Sequence, residues 1–417
     1  MQSGISTQRD TYKLLEKLAN KKFRNELNLL KSLVHDIVEH PDFEIVGGRV
    51  WELDPDNETY ILRYQYGKVK RIPTGYTISI DEQPVVSKLI DNRIHLNYET
   101  DKVLQKKGIF LYSVCGVGDI VKLKSGKHYK YVLGYNAPEI LQSVYDTLNI
   151  ISSVVTVALR DLATQAEKKK MRRDVMKASE IQRNLLPEHQ INFHDYDIYG
   201  VCIPDREVGG DYFDYIRNTR DEEESLGIVI SDAVSKGLPA AIQALFVSGA
   251  IRMGVSFATK ISNLLAQLNK LIYKTFPYER FVTLFYCELT LSSNRLVLYA
   301  NAGHNEPIHY RPETDNFQLL EPTGGFLGLI EEQKFKVENI RMHPGDVMVL
   351  YTDGITEAHN SEGEIFGEMR LQKLIKRFHK YSAQEINVKI LGEVQKFAQH
   401  PVYNDDKTLV VIKRDPS

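Results

Sequence analysis

The sequence is short of cysteine: three in 417 residues, Cys115, Cys202 and Cys287, far apart and never in CxxC spacing. That excludes a disulfide scaffold and a thiolate zinc site, and it suits a reducing, cytoplasmic setting. Net charge is scarce too. Lysine plus arginine number 53 against 55 acidic residues, a formal charge of −2. A protein that coats nucleic acid or an anionic membrane carries a strong bias in charge, and this one does not. Long hydrophobic runs are missing. Met1-Gln2-Ser3-Gly4 leads into a charged, helix-like stretch without the apolar core of a signal peptide. The apolar stretch from Ile150 to Leu159 contains two serines and a threonine, and it is about half the ~20 residues a membrane span needs. No membrane span and no nucleic-acid partner are expected.

Several catalytic signatures are absent as well. A cysteine phosphatase loop needs arginine six positions after cysteine, but those positions hold Val121, Val208 and Ser293. No G-x-S-x-G elbow occurs. Gly126-Lys127 is not a P-loop, because Val121 occupies the required glycine position and His128 the required Ser/Thr position. The histidines never form HExxH or another metal spacing.

What is present is ample apolar material, 42% of residues, enough for real cores in two to four domains at roughly 100–200 residues each. Residues 10–40 place Leu14, Leu15, Leu18, Leu27, Leu30, Leu33, Val34 and Ile37 at helical spacing until Pro41. Short β-type runs follow, Ile45 to Leu53, Thr59 to Tyr66 and Tyr112 to Leu123, separated by turn signals. Together these predict a small α+β domain over 1–138. Leu141, Val144, Leu148, Ile151, Val155, Ala158 and Leu162 then form a heptad seam. It breaks at the basic cluster 167–173, and a second, phase-shifted seam runs through Met171, Val175, Ala178 and Leu185, with Gln182 at a core position. The expectation is a helical, coiled-coil linker over 139–187 that makes a homodimer. Beyond it lies a third domain, 188–417. Its strands are expected near 196–203, 209–216, 226–231, 281–289, 295–300, 346–352 and 408–413, and its helices near 238–257, 261–275, 367–380 and 383–398.

Within that last domain, aspartates recur at the ends of apolar strands: Asp211, Asp232, Asp353, and Asp405 or Asp406. A buried strand that delivers a carboxylate is costly unless the charge is compensated. One such Asp commonly caps a turn; four in one domain point to a shared cation. Oxygen ligands without thiolate or imidazole favour Mg²⁺ or Mn²⁺. Two such ions can bridge and acidify one water for in-line attack on phosphorus.

At these residues the chain resembles a known family. Residues 175–414 resemble the metal-dependent PPM phosphatases of the bacterial SpoIIE/RsbU branch, which remove phosphate from serine or threonine of partner proteins. The resemblance is carried in order by Ala178 to Pro187, by Val208-Gly209-Gly210-Asp211-Tyr212-Phe213-Asp214 and by Ser231-Asp232-Ala233-Val234-Ser235-Lys236-Gly237-Leu238-Pro239-Ala240-Ala241. Asn301-Ala302-Gly303-His304-Asn305, Tyr351 to Ala358 and Asn404-Asp405-Asp406-Lys407-Thr408 continue it. The resemblance implies an α-β-β-α sandwich of two facing antiparallel sheets. It implies Asp211 and Asp232 as catalytic residues, and two Mn²⁺ or Mg²⁺ ions on Asp211, Asp232, the carbonyl of Ala233, Asp353 and Asp405, with Asp232 bridging. Asp214, three residues past Asp211, should face away from it, and Glu207 is expected to be structural. His304 is expected to be structural rather than a proton carrier. The family commonly has glycine where Ser235 stands, so strain in a loop needing positive φ is expected there.

The first 138 residues resemble a GAF-type sensory domain in size and in order of elements. There Cys115 and Trp51 are expected to pack in the core rather than touch a ligand. The resemblance implies a phosphorylated protein substrate, an anti-sigma-factor antagonist in the related branch, and a regulatory ligand or protein at the N-terminal domain. The competing class is a dimeric sensory and interaction protein whose phosphatase-like domain is inert.

Overall fold

The chain separates into two units, Met1–Met171 and Arg172–Ser417. The computed structural model describes residues 11–18, 20–68, 70–81, 83–97, 112–137, 142–220, 223–257, 260–276, 281–290, 296–398 and 405–415.

In the first unit the helical run expected across 10–40 is two pieces. Residues 11–18 are helical, and a new helix α1 starts at Glu26 and ends at Val38. Asn25 causes the restart: its side chain accepts the N–H of Asn28 at 2.9 Å, satisfying an otherwise orphaned donor. Six strands follow, β1 (Gly47–Asp54), β2 (Thr59–Gly67), β3 (Thr77–Ser79), β4 (Ile94–Asn97), β5 (Tyr112–Leu123) and β6 (Gly126–Asn136), with helix α2 (Pro84–Asn92) between β3 and β4. They form one antiparallel sheet in the order β3-β2-β1-β6-β5-β4. Alternation along β1 and β6 divides the apolar side chains between two faces. Val50, Leu133 and Tyr135 join Leu30, Leu33, Val34 and Ile37 of α1 on one face. Trp51, Leu53 and Val132 join Leu89 of α2, Leu62 and Ile80 on the other.

Helix α3 runs unbroken from Gln142 to Leu185, 44 residues. Its predicted seam does not stand free. Leu148, Ile151, Val155 and Leu159 are buried against α1, Cys115, Val117 and Leu133 of their own unit. The apolar stripe that was expected to drive pairing of two chains is therefore consumed within one chain. Leu141 lies outside the described residues. The second seam is different, for Met171 is 68% and Leu185 38% exposed.

The second unit stacks two antiparallel sheets. One is ordered β15-β12-β11-β10-β9, the other β14-β13-β16-β17-β8-β7. These are β7 (Gln190–Phe193), β8 (Tyr196–Ile203), β9 (Tyr212–Arg220), β10 (Glu223–Ala233), β11 (Val282–Thr290), β12 (Leu296–Ala302), β13 (Ile308–Arg311), β14 (Asn316–Leu319), β15 (Glu338–Arg341), β16 (Val347–Tyr351) and β17 (Lys407–Arg414). Between the sheets lie Phe213, Ile228, Ile230, Phe285, Leu350, Val410 and Ile412. Helices α4 (Leu238–Ser256) and α5 (Ile261–Thr275) cover the outer face of the first sheet. The short α6 (Asp353–Thr356), α7 (Glu368–Phe378) and α8 (Ala383–Phe397) belong with the second sheet. The layers are thus α-β-β-α. Among the described residues α4 alone is long and apolar enough to cross a membrane. Ala240, Ala244, Val247, Ile251 and Val255 are buried in the core, so its apolarity is that of a core helix.

Candidate active site

Two strand ends, of β10 and β16, and two strand starts, of β9 and β17, meet at one edge of the sandwich. Asp211 immediately precedes β9 and is 2% exposed. Thr352 and Asp353 follow β16, and Asp405, Asp406 and Thr408 lie at the start of β17. The Thr352 and Thr408 hydroxyls each donate to Asp211 Oδ2 at 2.7 Å. The Thr408 N–H donates to Thr352 Oγ1 at 3.0 Å, closing the cradle. Because Asp211 leads into one sheet and the threonines belong to the other, the carboxylate links the two layers.

Asp232 is the penultimate residue of β10 and Ala233 the last. Burial, then the charges of Asp211, Asp353, Asp405 and Asp406, push the Asp232 carboxyl up to about 9. Burial raises Asp211 to about 8 against the pull of the two hydroxyls. Asp353 rises to about 6, through burial first and the charge of Asp405 next. The four predicted aspartates therefore share one electrostatic neighbourhood in which negative charge outweighs the single ammonium of Lys236. That is the condition under which oxygen-rich sites take a hard cation.

The carboxylates do not form a closed shell. Among the described residues no group of three His, Cys, Asp or Glu side chains is arranged to hold an ion. Their other bonds show where the oxygens go. Asp405 Oδ2 accepts the Lys236 ammonium at 2.6 Å. Asp406 accepts the N–H of Asp205 on Oδ1 at 2.8 Å and of Gly210 on Oδ2 at 2.6 Å. Gly209 makes room for this: a Cβ there would lie 2.6 Å from Asp406 Oδ2. At Gly354 a Cβ would lie 1.9 Å from the Asp406 carbonyl oxygen, so the backbones of α6 and β17 meet only without a side chain. The Ala233 carbonyl faces Gly210, where a Cβ would lie 3.1 Å away.

The neighbours expected to be structural have structural partners. Asp214 is buried and binds the Tyr212 hydroxyl, Arg252 Nε at 2.5 Å and the Tyr215 N–H at 2.8 Å, away from the Asp211 cradle. Glu207 is 44% exposed and lies 3.7 Å from Arg172. His304 is 2% exposed, shares a hydrogen bond with Thr283 at 2.8 Å, and is pushed by burial down to about 3, so its ring stays neutral. The expected strain at Ser235 is absent, since it is not among the described non-glycine residues with positive φ. Its hydroxyl donates to Gln243 at 2.9 Å. Sequence reasoning missed the Thr352–Thr408 cradle and Gln182. The Gln182 amide donates to the Gly209 carbonyl at 2.7 Å and accepts the Gly209 N–H at 3.2 Å, gripping the backbone two residues before Asp211.

Residues 222–415 match the family described as Stage II sporulation protein E (SpoIIE). The sequence is 26% identical to phosphoserine phosphatase RsbU of Bacillus subtilis (strain 168) over 290 residues, 69% of this chain and 84% of that one. Phosphoserine phosphatase RsbP of the same organism is 22% identical over 245 residues, 58% of each chain. Among solved structures, the SiaA-PP2C domain of Pseudomonas aeruginosa is 20% identical with a TM-score of 0.49, covering 60% of this chain and 98% of that one. The C-terminal unit has the PPM-type serine/threonine phosphatase fold of the SpoIIE/RsbU branch.

Proposed function

We propose that this chain is a divalent-metal-dependent phosphoserine/phosphothreonine protein phosphatase regulated through its N-terminal unit. The observation that carries this is the convergence of Asp211, Asp232, Asp353 and Asp405, with the first three held above ordinary carboxylate behaviour by burial and mutual repulsion. The donor set suits Mn²⁺ or Mg²⁺: hard oxygens, no thiolate and no titrating imidazole. Asp211, Asp232, the Ala233 carbonyl, Asp353 and Asp405 would hold two ions, with Asp232 between them. When bound, such ions neutralise phosphate charge and acidify the attacking water.

The chain's own residues do the rest. Thr352 and Thr408 fix Asp211 by donating to one oxygen, which leaves the other for a ligand. Asp406 and Gln182 fix the backbone of Gly209 and Gly210. Lys236 holds Asp405 by charge and must yield to an incoming cation. The two Bacillus relatives are named phosphoserine phosphatases. By that likeness the substrate is a phosphorylated signalling protein, of the anti-sigma-factor antagonist kind. Ser235 stands where the family commonly has glycine, and the lack of a positive φ there supports the active reading over an inert, interaction-only domain.

The test is hydrolysis of p-nitrophenyl phosphate and of a phosphoserine peptide by the full chain. Activity should vanish after dialysis against chelator and return with Mn²⁺. Full activity in chelator, or recovery with Zn²⁺ alone, overturns the assignment.

A further inference from the structure

The sheet face of the N-terminal unit that packs on α2 borders a narrow, partly open cavity with about 80 Å³ of water-accessible space. That is several times the roughly 10–15 Å³ that admits one water, so the cleft takes only a slim molecule of a few heavy atoms across. Its apolar walls include Trp51, Tyr60, Val114 and Val132, and its polar lining includes Arg49 and Asn136. Arg49 and Trp51 are two apart on β1 and so share a face. Opposite Arg49 in register stands Gly134 of β6, which contributes no side chain and leaves the wall open. Cys115, by contrast, packs on the other face of the sheet.

Arg49 is the anomaly. It is 3% exposed, yet among the described residues no carboxylate pairs with it. Its two terminal nitrogens donate to neutral acceptors, Asn136 Oδ1 at 3.0 Å and the Lys70 carbonyl at 2.8 Å. Its Nε–H is buried without any acceptor. Burial pulls the guanidinium below its ordinary range. A buried, unpaired cation is costly, and arginine at such a place suits planar anion recognition.

We propose that this cavity binds a small monocarboxylate with an aromatic or branched aliphatic body, its carboxylate set against the Arg49 guanidinium. One guanidinium balances one negative charge, whereas a phosphate dianion would bring a second charge into apolar walls with no partner. The body of the ligand takes the Trp51, Tyr60 and Val132 surface. This site uses no residue of the phosphatase unit, so it stands or falls independently of the proposed activity.

Trp51 is the only tryptophan in the sequence, so its emission reports on the cavity alone. Full-length protein is titrated with phenylacetate, 3-methylbutanoate and 4-methylpentanoate, and with phenylacetamide as the neutral control. At least one carboxylate should give a saturable change in Trp51 emission. Phenylacetate should bind at least ~10-fold tighter than its amide, since a hydrogen bond to a charged group exceeds that factor. Arg49→Met should abolish the preference for carboxylate over amide, and Arg49→Lys should keep part of it. Because the comparison of acid with amide is made on the wild-type chain, it stands even where a variant fails to fold. No saturable response to any of the three carboxylates up to about 10 mM overturns the proposal. So does equal affinity for phenylacetate and phenylacetamide, or an acid preference that survives in folded Arg49→Met.

Discussion

Asp232→Asn should push stability and catalysis in opposite directions. In the metal-free protein the Asp232 carboxyl is pushed up to about 9 and Asp211 to about 8. Unfolded, both titrate near 3.9. The folded state therefore binds protons that the unfolded state has released. The stability linked to this uptake is fully present below about pH 4 and is lost as pH rises through the folded values. One proton taken up on folding costs about 1.4 kcal/mol per pH unit in that window, or about 4 kcal/mol between pH 5 and 8. For a unit of this size that is on the order of 10 °C in melting temperature. Asp232→Asn removes one negative charge from the cluster, so its melting temperature in chelator should fall less steeply from pH 6 to 8.5 than the wild type's. Hydrolysis with Mn²⁺ should drop by at least ~10²-fold, the scale of losing one charge-stabilising group. The assay is thermal melting in chelator at several pH values, paired with the rate on p-nitrophenyl phosphate. A folded variant that hydrolyses as fast as wild type would refute the bridging role. Identical pH slopes for variant and wild type would refute the electrostatic account of the cluster.

Thr408→Val removes one of the two hydroxyls on Asp211 Oδ2; the half-saturating Mn²⁺ concentration should rise ~10-fold, the worth of a charge-assisted hydrogen bond, and an unchanged metal titration would show that the cradle does not position Asp211. Replacing Leu148 and Ile151 together by Glu puts two charges into the core of the N-terminal unit; loss of its cooperative melting is expected, each core truncation alone costing about 2–5 kcal/mol, and a folded monomer would contradict the packing. Asp346 is buried, which works against its charge, but His309 at 2.8 Å, the His343 N–H and Arg311 hold its carboxyl below the usual range. Its contribution is present above about pH 4 and lost as pH falls further, so Asp346→Asn should cost about 3 kcal/mol near neutrality and flatten the acid limb of chemical unfolding; a parallel acid limb would contradict this.

Patterns local in the chain were legible before any coordinates. Strand β8 and helix α5 match the expected 196–203 and 261–275 residue for residue, because alternation and helical spacing are local properties. Strands β7, β13, β14 and β15 were not anticipated; each is four residues long, too short for a period to register. The seam of α3 was legible as a stripe, but a stripe does not name its partner. Leu148 and Ile151 pair with α1, more than a hundred residues earlier in the chain, as readily as they would with a second helix. The four aspartates were visible because apolar strands begin or end beside them. The threonines that hold Asp211 were not, because Thr352 and Thr408 lie 141 and 197 positions away. Gln182 left a faint signal, a polar residue in an apolar register, and its two bonds to Gly209 supply the reason.

The placement of the three cysteines has a consequence for redox behaviour. Cys115 and Cys287 are buried, and burial pushes the Cys115 thiol up to about 12 and the other two thiols well above their ordinary range. Oxidants and electrophiles attack the thiolate, which such thiols scarcely form near neutrality. Cys202, the least enclosed, directs its thiol at the Asp211 carbonyl at 3.8 Å, and the like charge of Asp211 further disfavours its ionisation. Peroxide at signalling levels should therefore leave these three thiols unmodified. A cysteine introduced at an exposed position would react alone, so a single reporter dye can be attached to the otherwise native chain.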